Sequence, residues 1–450
     1  MLQSDQGSVQ AKSLAAAIAD RSATIGVIGL GYVGLPLAAT VAQAGFKTIG
    51  FDIDGDKVKL LNGGTSYIDA VPASRLAEIL QAKRFRASAQ FEDLPVCDVI
   101  VVCVPTPLTR NRDPDLSFVT STARLIAQQI RPLQLVVLAS TTFPGTTTEI
   151  VKPILEEAGL KSGFDFFLGY SPEREDPGNA QYQTATIPRI IAGDGADAQR
   201  LINDFFRSVV HSTVPVSSPA AAEAVKITEN VFRAVNIALV NELKIIYDAM
   251  GIDVWEVIDA AATKPFGYMP FYPGPGLGGH CIPIDPFYLA WKSKEYEQPT
   301  RFIELAGEIN LAMPHYVVDR MDAELDRRLS MPPSKARILI LGIAYKKNVS
   351  DIRESPSLKL IKLLEQRGTQ VEFHDPHVPA IPPTREHPEL TGRRSIALNE
   401  VALQAFDCAL LVTDHDAIDY HLVAAQARLV MDTRNAFARR GIGGDHIVKA

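Results

Sequence analysis

The segment TIGVIGLGYVGLPLA constrains the fold more than any other part of this chain. An apolar run that begins at Thr24 has the length of a buried strand, and a helical pattern follows it through Ala44. Between them stand Gly29, Gly31 and Gly34, in the spacing G-x-G-x-x-G. The first glycine permits a tight turn, the second lets the backbone approach a pyrophosphate, and the third allows close helix–strand packing. The unit predicts a dinucleotide-binding Rossmann domain.

The acid at the end of the next strand indicates which dinucleotide binds. TIGFDID has the composition of a strand, and Asp52 ends it at the distance expected for a ligand of the ribose 2′-hydroxyl. A carboxylate there repels a 2′-phosphate, and Ile53 and Asp54 supply no compensating arginine. We therefore expect NAD rather than NADP. The alternative is a tight turn without a ligand, in a Rossmann fold that has lost its cofactor.

Three regions are expected along the 450 residues, which are too many for one ordinary core. DVIVVCVP and LVVLAST add strands to a parallel, doubly wound Rossmann domain over 23–210. A helical pattern from Pro219 to Met250, stopped by Gly251, opens a central helical and catalytic-loop domain over 215–325. A second run of alternating strands and helices predicts a Rossmann-like domain over 335–445. The expected fold class is α/β.

Composition excludes several partners. The net charge of −7 gives no electrostatic case for nucleic acid or an anionic membrane. The four cysteines form no C-x-x-C pair, which favours a reducing, cytoplasmic location, and we find neither a membrane span nor a signal peptide. HDPH (374–377) and DHD (414–416) could suggest metal ligands, but no third ligand stands at motif spacing, so we expect no metal.

The most unusual segment is FYPGPGLGGHCIPIDP, in which Gly276, Gly278 and Gly279 precede Cys281 and Pro283 and Pro286 follow it. A lone cysteine is most often a small buried side chain. A loop of this kind would instead present the thiol in a fixed place, where cationic neighbours can make it a nucleophile. Together with a nicotinamide site, such a thiol permits oxidation of an aldehyde through a thioester.

Eight segments in order carry a resemblance to a known family over about residues 23–440: GVIGLGYVGLPLA, VCVPTPL, ASTTFPGTT, YSPERE, EAVKITENVFRAVNIALVNE, GPGLGGHCIPIDP, LGIAYKKNVSDIRESPS and MDTRN. The chain resembles the UDP-glucose/GDP-mannose dehydrogenase family. The resemblance implies an NAD-dependent enzyme that acts on a UDP-sugar and is a homo-oligomer, a dimer or higher. It also implies oxidation of the sugar C6 alcohol to a carboxylate, with two NADH formed per sugar.

The resemblance assigns roles to individual residues. Cys281 matches the catalytic cysteine and Asp285 the aspartate four residues later. Lys226 and Asn230 match the pair that contacts the reacting oxygen, and their i, i+4 spacing independently places both on one helix face. Glu173 matches the acid that handles protons and water, and Thr141 the residue that helps hold this water. The implied cofactor contacts are Gly29, Gly31, Tyr32, Val33, Gly34, Asp52, Pro105, Thr106 and Arg353; the implied substrate contacts are Gly279, Lys346 and Arg434.

The identity of the sugar is less constrained. Several family members have SPE-F-L-x-E where this chain has SPERED, so Arg174 stands in place of a bulky apolar residue and we assign Glu175 no role. The chain looks most like the bacterial subgroup that acts on UDP-N-acetylglucosamine for O-antigen, lipopolysaccharide or capsule sugars. UDP-N-acetylgalactosamine, UDP-N-acetylmannosamine and UDP-glucose are alternatives. A 6-phosphogluconate- or 3-hydroxyacid-type dehydrogenase, or a non-enzymatic NAD-binding protein, would be a different class.

Overall fold

The computed structural model describes residues 2–109, 111–175, 184–279 and 282–450. The chain forms two compact units. Unit 1 comprises Met1–Glu229 and Phe287–Pro299, and unit 2 comprises Asn230–Pro286 and Thr300–Ala450. Among the described residues, no helix combines the length and apolar character needed to cross a membrane.

Unit 1 contains an eight-stranded sheet in its described part. Its strands are β1 (Thr24–Ile28), β2 (Lys47–Phe51), β3 (Phe85–Ser88), β4 (Val99–Val102), β5 (Leu135–Leu138), β6 (Phe167–Tyr170), β7 (Arg189–Gly193) and β8 (Thr213–Pro215). They lie in the order β3-β2-β1-β4-β5-β6-β7-β8. The predicted parallel pairing is confirmed from β3 to β6, but β6 and β7 are antiparallel. A parallel neighbour needs a crossover, and the described part of the connection from β6 to β7 contains no helix.

Helices cover this sheet: α1 (Leu2–Ala19), α2 (Gly34–Gln43), α3 (Gly55–Asn62), α4 (Ala73–Gln81), α5 (Ser117–Ala127), α6 (Lys152–Glu156) and α7 (Ala196–Arg207). A 3-10 helix spans Phe91–Val96 and a π-helix spans Thr146–Val151. Helix α1 was not predicted from the sequence. This helix buries Ala11, Leu14 and Ile18 in the core of unit 1, at the spacing of one helix face.

The long helix is confirmed at its predicted bounds, as α8 (Pro219–Met250). It begins in unit 1 and continues into unit 2, since the boundary between the units follows Glu229. Gly251 has a φ of +72°, a left-handed conformation that suits glycine and ends the helix.

The remaining helices are α9 (Val254–Ala261), α10 (Asp285–Ser293), α11 (Arg301–Leu329), α12 (Pro356–Gln366), α13 (Glu400–Gln404), α14 (Tyr420–Gln426) and α15 (Ala436–Arg439), with 3-10 turns at Lys294–Tyr296, Pro333–Lys335 and Pro388–Leu390. Unit 2 contains the parallel strands β9 (Arg337–Leu341), β10 (Gln370–His374), β11 (Cys408–Leu411), β12 (Val430–Asp432) and β13 (Ile447–Lys449). Their order is β10-β9-β11-β12-β13. The predicted α/β class, with a second Rossmann-like sheet, is confirmed; the three domain boundaries stay a prediction.

Strand order shows where each sheet can bind a ligand. In unit 1 the order reverses at β1, which lies between β2 and β4, and in unit 2 at β9, which lies between β10 and β11. Ligands of open α/β sheets bind outside the carboxyl ends of the strands at such a switch point. The loops that follow β1, β2 and β4, and those that follow β9 and β11, are therefore the places to look for functional side chains.

Candidate active site

The glycines after β1 differ in what surrounds them. Gly29 has a φ of +90°, and a Cβ there would lie 2.6 Å from the carbonyl oxygen of Cys103. A Cβ at Gly34, the first residue of α2, would lie 1.8 Å from the carbonyl oxygen of Gly29. At Gly31 a Cβ would meet nothing within 4 Å. The first and third glycines are thus required by the turn and its packing, whereas the second borders open space. This cradle fits a dinucleotide pyrophosphate.

Asp52 follows β2 and points back at the glycine turn. Its carboxylate accepts hydrogen bonds from the backbone N–H of Leu30 at 2.9 Å and of Asp54 at 3.0 Å. The hydroxyl of Tyr67 donates to the carbonyl oxygen of Leu30 at 2.7 Å. Both backbone polar groups of Leu30 are therefore hydrogen-bonded, the N–H to the Asp52 carboxylate and the carbonyl oxygen to the Tyr67 hydroxyl. Tyr67 belongs to no motif and was not predicted from the sequence.

The other predicted cofactor contacts of unit 1 lie at the same edge of the sheet. Tyr32 and Val33 stand between the glycines, and Val33 immediately precedes α2. Pro105 and Thr106 follow β4, the neighbour of β1, and Pro105 is exposed whereas Thr106 is buried. The predicted cofactor residues of unit 1 thus cluster around one switch point.

Thr141 and Glu173 follow neighbouring strands. Thr141 comes three residues after β5 and Glu173 three residues after β6, and the last residues of these strands are paired in register. The Glu173 carboxylate is buried and lies 2.9 Å from Nη1 of Arg189. Arg189 also donates to Oγ of Ser171 at 2.8 Å. The guanidinium offsets the buried charge of Glu173 and fixes its orientation, since a buried carboxylate needs such a partner.

Arg174, which stands where several family members have a bulky apolar residue, forms an ion pair in the structure. Its guanidinium lies 2.5 Å from Oε1 of Glu229, the residue that precedes Asn230 on α8. Burial, and next the charge of Glu173, raise the pKa of Glu175, whose carboxylate accepts from the N–H of Thr184 at 2.8 Å. Residues 176–183, which include the PGN sequence, lie outside the described residues.

A buried acid that was not predicted from the sequence precedes Lys226 on α8. Glu223 is fully buried, and its carboxylate accepts from Gly145 N at 2.6 Å, from Thr147 N at 2.9 Å and from Thr147 Oγ1 at 2.6 Å. Burial raises the pKa of Glu223 to about 7. The acid ties the helix that carries Lys226, itself buried, to the TTFPGTT segment that begins at Thr141. A charged residue on the apolar face of α8 was the sequence signal for it.

Unit 2 brings together two further predicted residues. Nδ2 of Asn230 donates to Oδ2 of Asp285 at 2.6 Å, and both side chains are buried. Asp285 is the first residue of α10, where a carboxylate suits the helix N-terminus. Cys281 and His280 lie outside the described residues, so the nucleophile stays a prediction.

The described cysteines, Cys97, Cys103 and Cys408, are buried, and burial raises the pKa of each thiol.

The predicted substrate contacts also lie in unit 2. The N–H of Gly279 donates to the carbonyl oxygen of Arg353 at 3.0 Å, and Arg353 forms a bidentate pair with Asp351. Arg434 follows β12, and a Cβ at Gly274 would lie 2.6 Å from its Nη1 atom. Lys346 stands in the loop after β9, at the switch point of this sheet. The structure therefore brings Gly279 to Arg353 and the glycine-rich loop to Arg434.

In the two motifs considered as metal ligands, His374 and His415 each contact another group of the protein. Nδ1 of His374 lies 2.8 Å from the carbonyl oxygen of Ile396, and Nε2 of His415 lies 3.0 Å from Oδ2 of Asp375. In the part of the chain that the structure describes, no group of three or more His, Cys, Asp or Glu side chains could hold a metal ion.

Three sequence models of one family match the chain in succession: its NAD binding domain at residues 23–210, its central domain at 220–312 and its UDP binding domain at 339–439. The chain belongs to the UDP-glucose/GDP-mannose dehydrogenase family. A UDP-N-acetyl-D-glucosamine 6-dehydrogenase of Pseudomonas aeruginosa is 36% identical over 79% of this chain and 83% of its own length. A UDP-N-acetyl-D-mannosamine dehydrogenase of Pyrococcus horikoshii is 33% identical over 93% of this chain and 99% of its own.

A solved structure of the UDP-D-ManNAc dehydrogenase from Pyrococcus horikoshii superimposes with a TM-score of 0.85 at 32% identity, covering 95% of this chain and 98% of that one. The fold is therefore that of a nucleotide-sugar dehydrogenase with an NAD-binding Rossmann domain, a central helical domain and a UDP-binding domain. The dehydrogenase is an oxidoreductase that uses NAD and acts on a UDP-sugar.

Proposed function

We propose that this dehydrogenase oxidises the C6 alcohol of UDP-N-acetylglucosamine to the uronic acid in two NAD-dependent steps, with Cys281 as nucleophile. The observation that carries the chemistry is the buried hydrogen bond between Asn230 and Asp285. Asn230 lies one helical turn after Lys226 on α8. An amide and an ammonium group at this spacing are suited to a developing oxyanion. The sugar is inferred from the SPEREDPGN and GPGLGGHCIPIDP segments and from the Pseudomonas aeruginosa relative.

In the first oxidation the substrate loses a hydride from C6 and a proton from its hydroxyl, which leaves an aldehyde. Bound NAD supplies the hydride acceptor. Asn230 uses one amide hydrogen on Asp285, and its second hydrogen, with the Lys226 ammonium, would stabilise the alkoxide oxygen. Asp285, or a water that it holds, would accept the proton.

In the second oxidation the Cys281 thiolate adds to the aldehyde carbon and forms a thiohemiacetal. Loss of a second hydride to a fresh NAD leaves a thioester, which water cleaves to the carboxylate and the free thiol. Glu173, oriented by Arg189, would direct this water with the help of Thr141. The balance is two NADH for each sugar, and the covalent intermediate retains the aldehyde.

Binding is assigned to the loops at the two switch points. The backbone around Gly29, Gly31 and Gly34 would hold the pyrophosphate of NAD, and Asp52 its ribose. Tyr32, Val33, Pro105, Thr106 and Arg353 are the further cofactor contacts that we propose. Gly279, Lys346 and Arg434 would hold the UDP-sugar.

The experiment is to measure NADH released per mole of sugar, with excess NAD and a panel of UDP-sugars. We expect two equivalents with UDP-N-acetylglucosamine and little with UDP-glucose. Two equivalents with UDP-N-acetylmannosamine or UDP-N-acetylgalactosamine instead would keep the mechanism and change the substrate. One equivalent would remove Cys281 from the chemistry and favour a 3-hydroxyacid-type reaction.

Cys281→Ser provides the matched control, because it changes one atom of the nucleophile. We expect the variant to bind NAD as the wild type does and to form no acid. A variant that still yields two NADH for each sugar would contradict the covalent route.

We also propose a homo-oligomer. On α8, in unit 2, apolar side chains with large exposed fractions recur along the helix: Phe232 (47%), Leu239 (49%), Ile246 (45%) and Met250 (62%). An exposed apolar stripe of this kind is typical of a protein–protein interface. Light scattering coupled to size exclusion should give at least a dimer, and a monomer would contradict the proposal. A cytoplasmic location stays a prediction from cysteine usage.

A further inference from the structure

Two sequence motifs that the proposed reaction leaves unused meet in unit 2. HDPH begins with the last residue of β10 and DHD follows β11, and these two strands flank β9 in the sheet. The motifs are joined through Asp375 and His415, whose Oδ2 and Nε2 atoms are 3.0 Å apart. Neither side chain is exposed to solvent. The contacts of this pair are therefore with other groups of the protein, and several of them are backbone N–H groups.

Hydrogen bonding fixes the tautomer of His415. The backbone N–H of Asn348 donates to Nδ1 of His415 at 2.9 Å, so Nδ1 carries no proton. The hydrogen of the neutral ring is on Nε2, which donates it to Asp375. One ring nitrogen therefore accepts from a backbone amide while the other donates to a buried carboxylate.

Asp375 holds the loop after β9 at its start. Its Oδ2 atom accepts from the N–H of Ile343 at 2.7 Å and from the N–H of Ala344 at 3.0 Å. The carbonyl oxygen of Ala344 in turn accepts from Oγ1 of Thr413 at 2.6 Å. The first residues of this loop are thus fixed by the carboxylate of Asp375, which follows β10, and the hydroxyl of Thr413, which follows β11.

His415 holds the same loop at its far end. Asn348 has a φ of +59°, a left-handed conformation that asparagine adopts more readily than most residues but that still needs support. Its amide side chain exchanges two hydrogen bonds with Asp416, at 2.7 and 2.9 Å. Lys346 lies midway between the two attachments, in the part of the chain that matches the family's UDP binding domain.

We propose that His415 is a positioning residue for nucleotide binding. Together with Asp375 it holds the AYKKN segment (residues 344–348) in the conformation that presents Lys346 to the UDP moiety. The inference rests on the proposed function only in taking Lys346 as a contact of the nucleotide. It gives a role to both motifs, and that role needs no metal.

Two substitutions separate the two ring nitrogens. His415→Asn places an amide oxygen where Nδ1 stands and keeps an acceptor for Asn348, but it loses the donor to Asp375. His415→Gln places its amide nitrogen where Nε2 stands and keeps that donor, but it loses the acceptor. We expect the Gln variant to raise the Kd for UDP about tenfold, which is about 1.4 kcal/mol, and the Asn variant to stay within about twofold of the wild type.

Calorimetry with UDP alone measures this difference, and NAD titrated in the same way is the control. Because the NAD turn lies in unit 1 and Arg353 lies outside residues 344–348, both variants should bind NAD with the wild-type Kd. A Gln variant that binds UDP as the wild type does, or an Asn variant that loses as much affinity as the Gln variant, would overturn the proposal. Since no sugar is involved, the result is independent of the substrate assignment and of Cys281.

Amide hydrogen exchange on the unmodified protein tests the same bond where a variant does not fold. We expect the N–H of Asn348 to exchange slowly although its residue is exposed, because His415 accepts its hydrogen. Exchange at the rate of a free amide would refute the role of His415.

Discussion

Substituting alanine at two glycines of the same turn should separate folding from cofactor binding. At Gly34 the new Cβ would lie 1.8 Å from the carbonyl oxygen of Gly29 and 3.2 Å from Cβ of Cys103. The obstacle is the backbone of Gly29 in the turn before α2, which no rotamer change can clear. At Gly31 the new Cβ would meet nothing within 4 Å.

The two variants should therefore change stability differently. Overpacking costs about 1–3 kcal/mol, and a backbone obstacle favours the upper end, so we expect Gly34→Ala to lose about 3 kcal/mol of the free energy of unfolding. For a domain of this size each kcal/mol shifts Tm by about 2–4 °C, which predicts a fall of roughly 6–12 °C. Gly31→Ala restricts the unfolded chain without a clash, and its stability should be unchanged or higher by up to about 1 kcal/mol.

Their effects on the cofactor should be the reverse. A methyl group at Gly31 would stand between the backbone and the pyrophosphate, and losing one hydrogen bond to a charged group costs about 1.5–3 kcal/mol. The Kd for NAD should then rise roughly 10- to 150-fold. Thermal unfolding followed by circular dichroism measures the change in stability, and calorimetric titration with NAD measures the change in Kd. A Gly34→Ala protein as stable as the wild type, or a Gly31→Ala protein with wild-type affinity, would refute this account of the turn.

Three further predictions concern buried charges. Arg189→Met should lower the free energy of unfolding by about 3–5 kcal/mol because it leaves Glu173 buried and unpaired, whereas Arg174→Met, at a half-exposed pair, should change it by about 0–1 kcal/mol; equal losses in urea titrations would contradict this. Burial raises the pKa of Glu223 from 4.5 to about 7. The protonated Glu223 side chain therefore stabilises the fold fully below pH 4.5, and this stabilisation is lost as the pH rises through about 7. Relative to Glu223→Gln, the wild-type Tm should therefore fall between roughly pH 5 and 8, and parallel curves would argue against it. Asp285→Asn should lower kcat on the order of 100-fold with the Kd for NAD unchanged; wild-type turnover would remove this carboxylate from the reaction.

The order of elements could be predicted because each carries a local periodic pattern. The bounds of α8 followed from apolar residues repeating at helical spacing and from Gly251 after its last turn. Strands β3, β6, β7, β8 and β13 were missed, since each is a short run that contains a charged residue, a glycine or a proline and so gives a weak apolar pattern. The antiparallel pairing of β6 and β7 was also missed, because pairing direction depends on the connection between strands rather than on their composition.

The candidate site divides in the same way. Gly29, Gly34 and Asp52 were predictable because the turn imposes a fixed spacing along the chain. Arg189 and Glu223 were not, because each acts on a segment at least sixteen residues away in sequence. Burial then decides their energetics, and burial is a property of the packed sheet rather than of the neighbouring residues.

The sequence by itself determined the α/β class, the NAD turn, the long helix and the family. Each of these follows from residue spacings within local segments of the chain. Tertiary structure decided which glycine borders open space and which acid is buried. It also decided that the HDPH and DHD motifs meet as a single hydrogen-bonded pair. These are outcomes of strand order, because parallel strands bring their carboxyl ends to one edge of the sheet regardless of their separation along the chain. Side chains that meet there gain or lose their charge and their partners only when the sheet forms.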